Sequence, residues 1–130
     1  MPRLRPAARD GLTEEAISHL QQAIRMSPQD SQNAIFNVWL SAAHYLAGRY
    51  VEAIGYGRKA VQQRPAYAGA YRILCASLAQ AGNPEEAGAV LARLKQLQPD
   101  ASLISIQKHV PYQPGPMARF IEGLQKAGLE

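Results

Sequence analysis

A chain of 130 residues is one domain's worth, and with 47% apolar and 18% charged residues it is suited to a buried core rather than to a disordered segment. The formal net charge of +4 is modest, and the basic residues are scattered apart from small groups at Arg3, Arg5 and Arg9 and at Arg58, Lys59 and Arg64, so no single stripe marks a nucleic-acid footprint. The lone Cys75 excludes an intrachain disulfide, which fits a reducing cytoplasm, and no apolar run approaches the length of a membrane span.

The opening MPRLRPAARD lacks the apolar stretch of a signal peptide, and Pro2 and Pro6 interrupt any helix, so residues 1–10 read as an irregular leader. Residues 11–30 then predict one helix. Thr13 caps it, Glu14 and Glu15 suit the positive end of its dipole, and Ala16, Ile17, Leu20, Ala23 and Ile24 form its apolar face. Too few residues precede Gly11 to supply a partner helix, so the chain is expected to be cut from a longer parent or to start at the ragged edge of an array.

From Asp30 or Ser31 as cap, a long helix is predicted to about Ala47, carrying Ile35, Phe36, Trp39, Leu40, Ala43 and Leu46. A second follows over 50–63, then a pair over 67–81 and 84–97, with Pro84 in a first turn beside Glu85 and Glu86. Beyond Pro99, residues 102–110 predict a short helix, and Pro111, Pro114 and Pro116 a break. Residues 117–127 predict a last helix with Phe120, Ile121 and Leu124 on its apolar face and Gly128 as its stop.

These helices repeat. GRYVEAIGYGRKAVQQRP at 48–65 returns thirty-four residues later as GNPEEAGAVLARLKQLQP at 82–99, pairing Gly48 with Gly82, Ala53 with Ala87, Ala60 with Leu94 and Pro65 with Pro99. An earlier copy, 11–28, places Gly11, Ala16, Ala23 and Pro28 thirty-seven residues ahead of their counterparts. Three additional residues therefore precede the first long helix, and that helix is expected to begin a turn early. The glycines fit left-handed turns, the alanines allow close helix approach and the prolines stop the second helix of each unit. Period and positions together resemble the tetratricopeptide repeat. Ser41 and Cys75 hold its small position and Tyr71 its aromatic one, whereas Asn37 stands where the first long helix would have an aromatic.

The resemblance implies an all-α, right-handed superhelical solenoid of about two and a half repeats with a C-terminal helical cap. Its parts are a half repeat at 11–30, full repeats at 31–65 and 66–99 and capping helices at 100–130. It also implies a concave face lined by the first helix of each unit, here Ile35, Val38, Ala42 and Tyr45, then Gly69, Arg72, Ala76, Ala79 and Gln80. Arg72 and Tyr45 either orient a peptide, through an acidic group on the first and an apolar side chain on the second, or are ordinary exposed residues. The lysine and asparagine pattern of chaperone-tail carboxylate clamps is absent, since Val38, Ala42 and Ala76 stand in its places.

Catalytic chemistry finds no constellation. His19, His44 and His109 lack a second ligand at metal spacing, Gly55 and Gly57 fall inside a helix rather than in a phosphate-binding loop, and Cys75 sits at a packing position. No metal, cofactor, nucleic acid or membrane is implied as a partner; a protein or peptide is. The ending VPYQPGPMARFIEGLQKAGLE, with the repeats before it, resembles the C-terminal repeat region of bacterial class III adenylate/guanylate cyclase-like proteins. That resemblance implies a regulatory or scaffolding module of a cytoplasmic signalling protein whose catalytic domain lies elsewhere, and a free-standing adaptor binding a peptide is the alternative. Ile17, Leu20 and Ile24, without their own partner helix, are expected to drive self-association as a two-fold dimer.

Overall fold

The computed structural model describes residues 14–28, 32–110, 112 and 114–130. The leader 1–10, the Thr13, Asp30 and Ser31 caps, Pro111 and the side chain of His109 lie outside the described residues. The chain order is α1 (Glu14–Met26), α2 (Asn33–Leu46), α3 (Tyr50–Gln63), α4 (Ala68–Gln80), α5 (Pro84–Leu97), α6 (Leu103–His109) and α7 (Pro114–Ala127), with no strand among the described residues. Helices α2 and α3 form one antiparallel pair, α4 and α5 the next, and α4 packs on both α2 and α3.

The pairs turn alike because the same residues close them. Gly48 and Gly82 have φ of 80° and 84°, a conformation that costs a residue with a Cβ. Gly48 N–H donates to Tyr45 O and Arg49 N–H to His44 O, and Gly82 and Asn83 repeat this on Ala79 O and Leu78 O. Gly128, at φ 110°, ends α7 by the same device, with Leu129 N–H donating to Leu124 O. Within each pair the small position of the first helix touches the backbone of the second. Ser41 Oγ donates to Ala53 O at 2.6 Å, and Cys75 Sγ lies 3.6 Å from Ala87 O. Ala53, Ala60, Ala87 and Leu94 are completely buried around these contacts. Burial also pushes the Cys75 thiol up to about 12, which keeps it protonated and inert.

Two helix starts bear on the expected boundaries. Helix α2 spans Asn33–Leu46, and the Asp30 or Ser31 cap expected for it lies outside the described residues. The buried Asn33 amide donates to Ser27 O at 3.0 Å, tying the start of α2 to the residue that follows α1. Helix α7 begins at Pro114 rather than Met117. Pro114 and Pro116 fall in a first turn, whose N–H groups have no acceptor within the helix, so they start the helix instead of breaking it. Between these ends, α6 opens on a reciprocal cap in which Ser102 Oγ accepts from Ser105 N–H and Ser105 Oγ from Ser102 N–H.

His44 is buried at 8% exposure, accepts a 2.8 Å hydrogen bond from Arg49 Nε on its Nδ1 and stacks on Tyr56 with centroids 5.3 Å apart. Burial first, then the Arg49 charge, holds its pKa below the ordinary 6.5, against opposing pulls from Glu52 and Glu14. The folded state thus keeps a neutral ring where the unfolded chain takes up a proton. The stability from this group is complete above the unfolded value and declines as pH falls through it toward the folded value. Thermal melts between about pH 8 and pH 5 are expected to show a falling Tm, with a smaller fall in His44→Gln; equal falls would remove His44 as the cause.

Candidate interaction surface

Helix α7 lies over residues that the repeat resemblance places on the concave face. Rather than extending the stack, it packs chiefly on α4, with further contacts to α5 and α2. Its sequence is made for this: Met117, Phe120, Gly123 and Leu124 are buried, while Ala118, Arg119, Glu122, Gln125 and Lys126 face solvent.

The crossing point is Tyr45. It is 2% exposed, its O–H donates to the backbone carbonyl of Arg119, and Gln80 Nε2 donates to its oxygen at 3.2 Å. Its ring meets Tyr50 at 5.3 Å and the edge of Phe120 at 6.2 Å, and burial pushes its hydroxyl up to about 12. Gly123 sits opposite: a Cβ there would overlap the Tyr45 hydroxyl and stand 3.0 Å from Ala76 Cβ. At the edge of the seat, Lys126 Nζ donates to Gln80 Oε1 at 2.8 Å.

The residues expected to line an open groove therefore divide. Ala42, Tyr45 and Ala76 are buried, with Gln80 bonded to α7 beside them, so this end of the face is filled by the chain's own helix. Arg72 is not on an open surface either. It donates to Gln98 Oε1 at 3.1 Å and lines a cavity of about 210 Å³ with Asp100, Ser105 and Val110, and burial lowers its pKa. Gly69 is buried and Ala79 half-buried. Ile35 and Val38 are half-buried toward the other end of α2. Sequence reasoning missed Gly123, although a glycine inside an apolar helical face signals close packing.

The N-terminal end of the stack is different. Ile17, Leu20 and Ile24, expected to drive self-association, form a cluster with Leu40, Ala43 and Tyr56 in which Ile17 is buried and Leu20 and Ile24 are half-buried. Apolar side chains also lie open at this end, Met26 of α1 at 75% exposure and an aromatic pair on α2. Trp39 is 48% exposed beside half-buried Phe36, their centroids 6.1 Å apart. Thirty-four residues on, the same positions hold Ile73 and Ala70, which are 2% and 0% exposed. The difference follows from what precedes each helix: α4 follows the α2–α3 pair, whereas among the described residues only α1 precedes α2.

Two tetratricopeptide repeat family models match the sequence, one over residues 6–68 and the other over 44–107. Together they span most of the chain, which belongs to the tetratricopeptide repeat family and carries an all-α solenoid of that kind. Such repeats are protein-interaction modules. No curated protein matches the chain. Among the described residues no cluster of His, Cys, Asp and Glu is placed to hold a metal, and no helix is long and apolar enough to cross a membrane.

Proposed function

We propose that the chain is a non-catalytic interaction module that docks a protein helix on the N-terminal face of its stack, and that a second copy of the chain supplies that helix. Trp39 carries this reading, being half exposed at a position whose repeat equivalent, Ile73, is buried by the preceding unit. The aromatic pair of α2 is the starting point of the docking surface, and Ile35 and Val38 extend it along the concave face. Ala42, Tyr45, Ala76 and Gln80 hold α7, and Arg72 braces the end of that helix pair. Light scattering after size-exclusion chromatography is expected to give more than the 14.2 kDa monomer for the parent and the monomer for Trp39→Asp, with the far-UV spectrum unchanged. A monomeric parent, or a dimer that survives Trp39→Asp, overturns the pairing.

The module is further read as a regulatory or scaffolding part of a bacterial signalling protein of the nucleotide-cyclase kind, acting in the cytoplasm. The similarity of residues 110–130 to the endings of such repeat regions supports this, and the buried free thiol of Cys75 suits a reducing compartment. A free-standing adaptor binding a peptide is the alternative.

A further inference from the structure

The chain contains the same inter-unit interface twice, and the two copies are filled differently. Where α4 and α5 meet α3, Tyr71 is buried with its O–H donating to Pro65 O at 2.7 Å, and Val61, Val90 and Leu97 pack around the central core. One unit earlier, where α2 and α3 meet α1, the corresponding residues are Asn37, Ile24, Tyr56 and Gln63. With an amide in place of the aromatic, a cavity of about 300 Å³ remains.

Its lining is chemically one-sided. Leu40, completely buried, and Ile24 give it apolar wall. Asn37 Nδ2 donates to Gln63 Oε1 at 2.9 Å, and Gln21 Nε2 donates to the Tyr56 hydroxyl at 3.0 Å, which leaves the phenolic proton of Tyr56 to be donated. The Tyr56 ring is fixed by its stack on His44 and carries Lys59 Nζ 5.2 Å from its centroid. Arg25 and Lys59 stand exposed at the rim, no carboxylate lines the cavity among the described residues, and the ion pairs of those residues are made by other cations, Arg49 and Arg58. Two cations without an ion pair among the described residues, a phenol donor and an apolar wall in a space at the small end of ligand pockets suit an anion with an apolar body.

We propose that this cavity binds a small organic carboxylate, its carboxylate held between Arg25, Lys59 and the Tyr56 hydroxyl and its apolar part against Leu40 and Ile24. The probe is benzoate, titrated into the full chain and followed by amide NMR shifts, with benzyl alcohol and inorganic phosphate as controls. Benzoate is expected to saturate one site, moving the signals of Gln21, Arg25, Asn37 and Tyr56, while benzyl alcohol and phosphate bind at least tenfold more weakly. Arg25→Gln and Lys59→Gln, both at exposed positions, should each weaken benzoate by roughly tenfold, the scale of one charge-assisted hydrogen bond. Asn37→Tyr, which restores the aromatic of the later interface, should abolish binding. No saturable shift, equal binding of either control, or benzoate affinity undiminished in Arg25→Gln with Lys59→Gln overturns the site. The paired rim variant still decides the matter should Asn37→Tyr fail to fold.

Discussion

Gly123→Val is expected to lift α7 from the repeats. A side chain at 123 meets the Tyr45 hydroxyl, Ala76 Cβ at 3.0 Å and Ala76 O at 3.1 Å. Neither neighbour can step aside. Ala76 presents backbone, and Tyr45 is buried and bonded to both Arg119 and Gln80. A glycine inside a helix costs roughly 0.8–1 kcal/mol relative to alanine, so its presence here marks a close crossing. Displacing α7 exposes Phe120 and Leu124, which are 2% and 0% accessible when docked. At about 1.5–3 kcal/mol for each large apolar side chain, a loss of about 3 kcal/mol or more is expected. Urea unfolding should show a lower midpoint, and hydrogen exchange should show loss of protection along residues 114–127. A parent-like midpoint and parent-like protection would mean that α7 does not depend on this crossing.

Ala53→Leu and Ala87→Leu attack the other close approach, the one inside each helix pair. Both alanines are 0% exposed, and their own carbonyls take the side chains of Ser41 and Cys75. A leucine has no unfilled space to enter there. Overpacking of this kind costs about 1–3 kcal/mol at each site, and each pair should lose it separately because the two contacts lie in different units. Thermal melts of the single and double variants provide the measurement. Parent-like melting in both single variants would contradict the close approach seen in the structure.

The residues whose role is local were readable in the sequence. Gly48 and Gly82 announce a left-handed turn, Ala53 and Ala87 a close contact, and α3 and α5 run where the spacing places them. The tie from Asn33 back to Ser27 escaped because a side-chain bond of that sort has no periodic signature. The seat of α7 escaped for a related reason. The spacing of Met117, Phe120 and Leu124 says which face of the helix is apolar and nothing about which surface that face will meet. Tyr45 shows the consequence. Its register on the concave side follows from the repeat, but its burial follows from a helix more than seventy residues away. Trp39 was visible as an aromatic near the departure at Asn37, yet its exposure became legible only against buried Ile73 in the next unit.

Tyr45 and Arg119 are 74 residues apart in sequence. In a stacked array each unit meets only its neighbours, so contact order is low and folding can nucleate anywhere along the chain. The contact between Tyr45 and Arg119 breaks that locality. Closing a loop of this length costs chain entropy before any packing offsets it, and the surface that offsets it exists only once α2 and α4 lie side by side. Docking of α7 is therefore expected to be a late event that reports on both units at once. The two repeats it spans are coupled into one cooperative block, where an uncovered pair of the same sequence would fray one unit after the other.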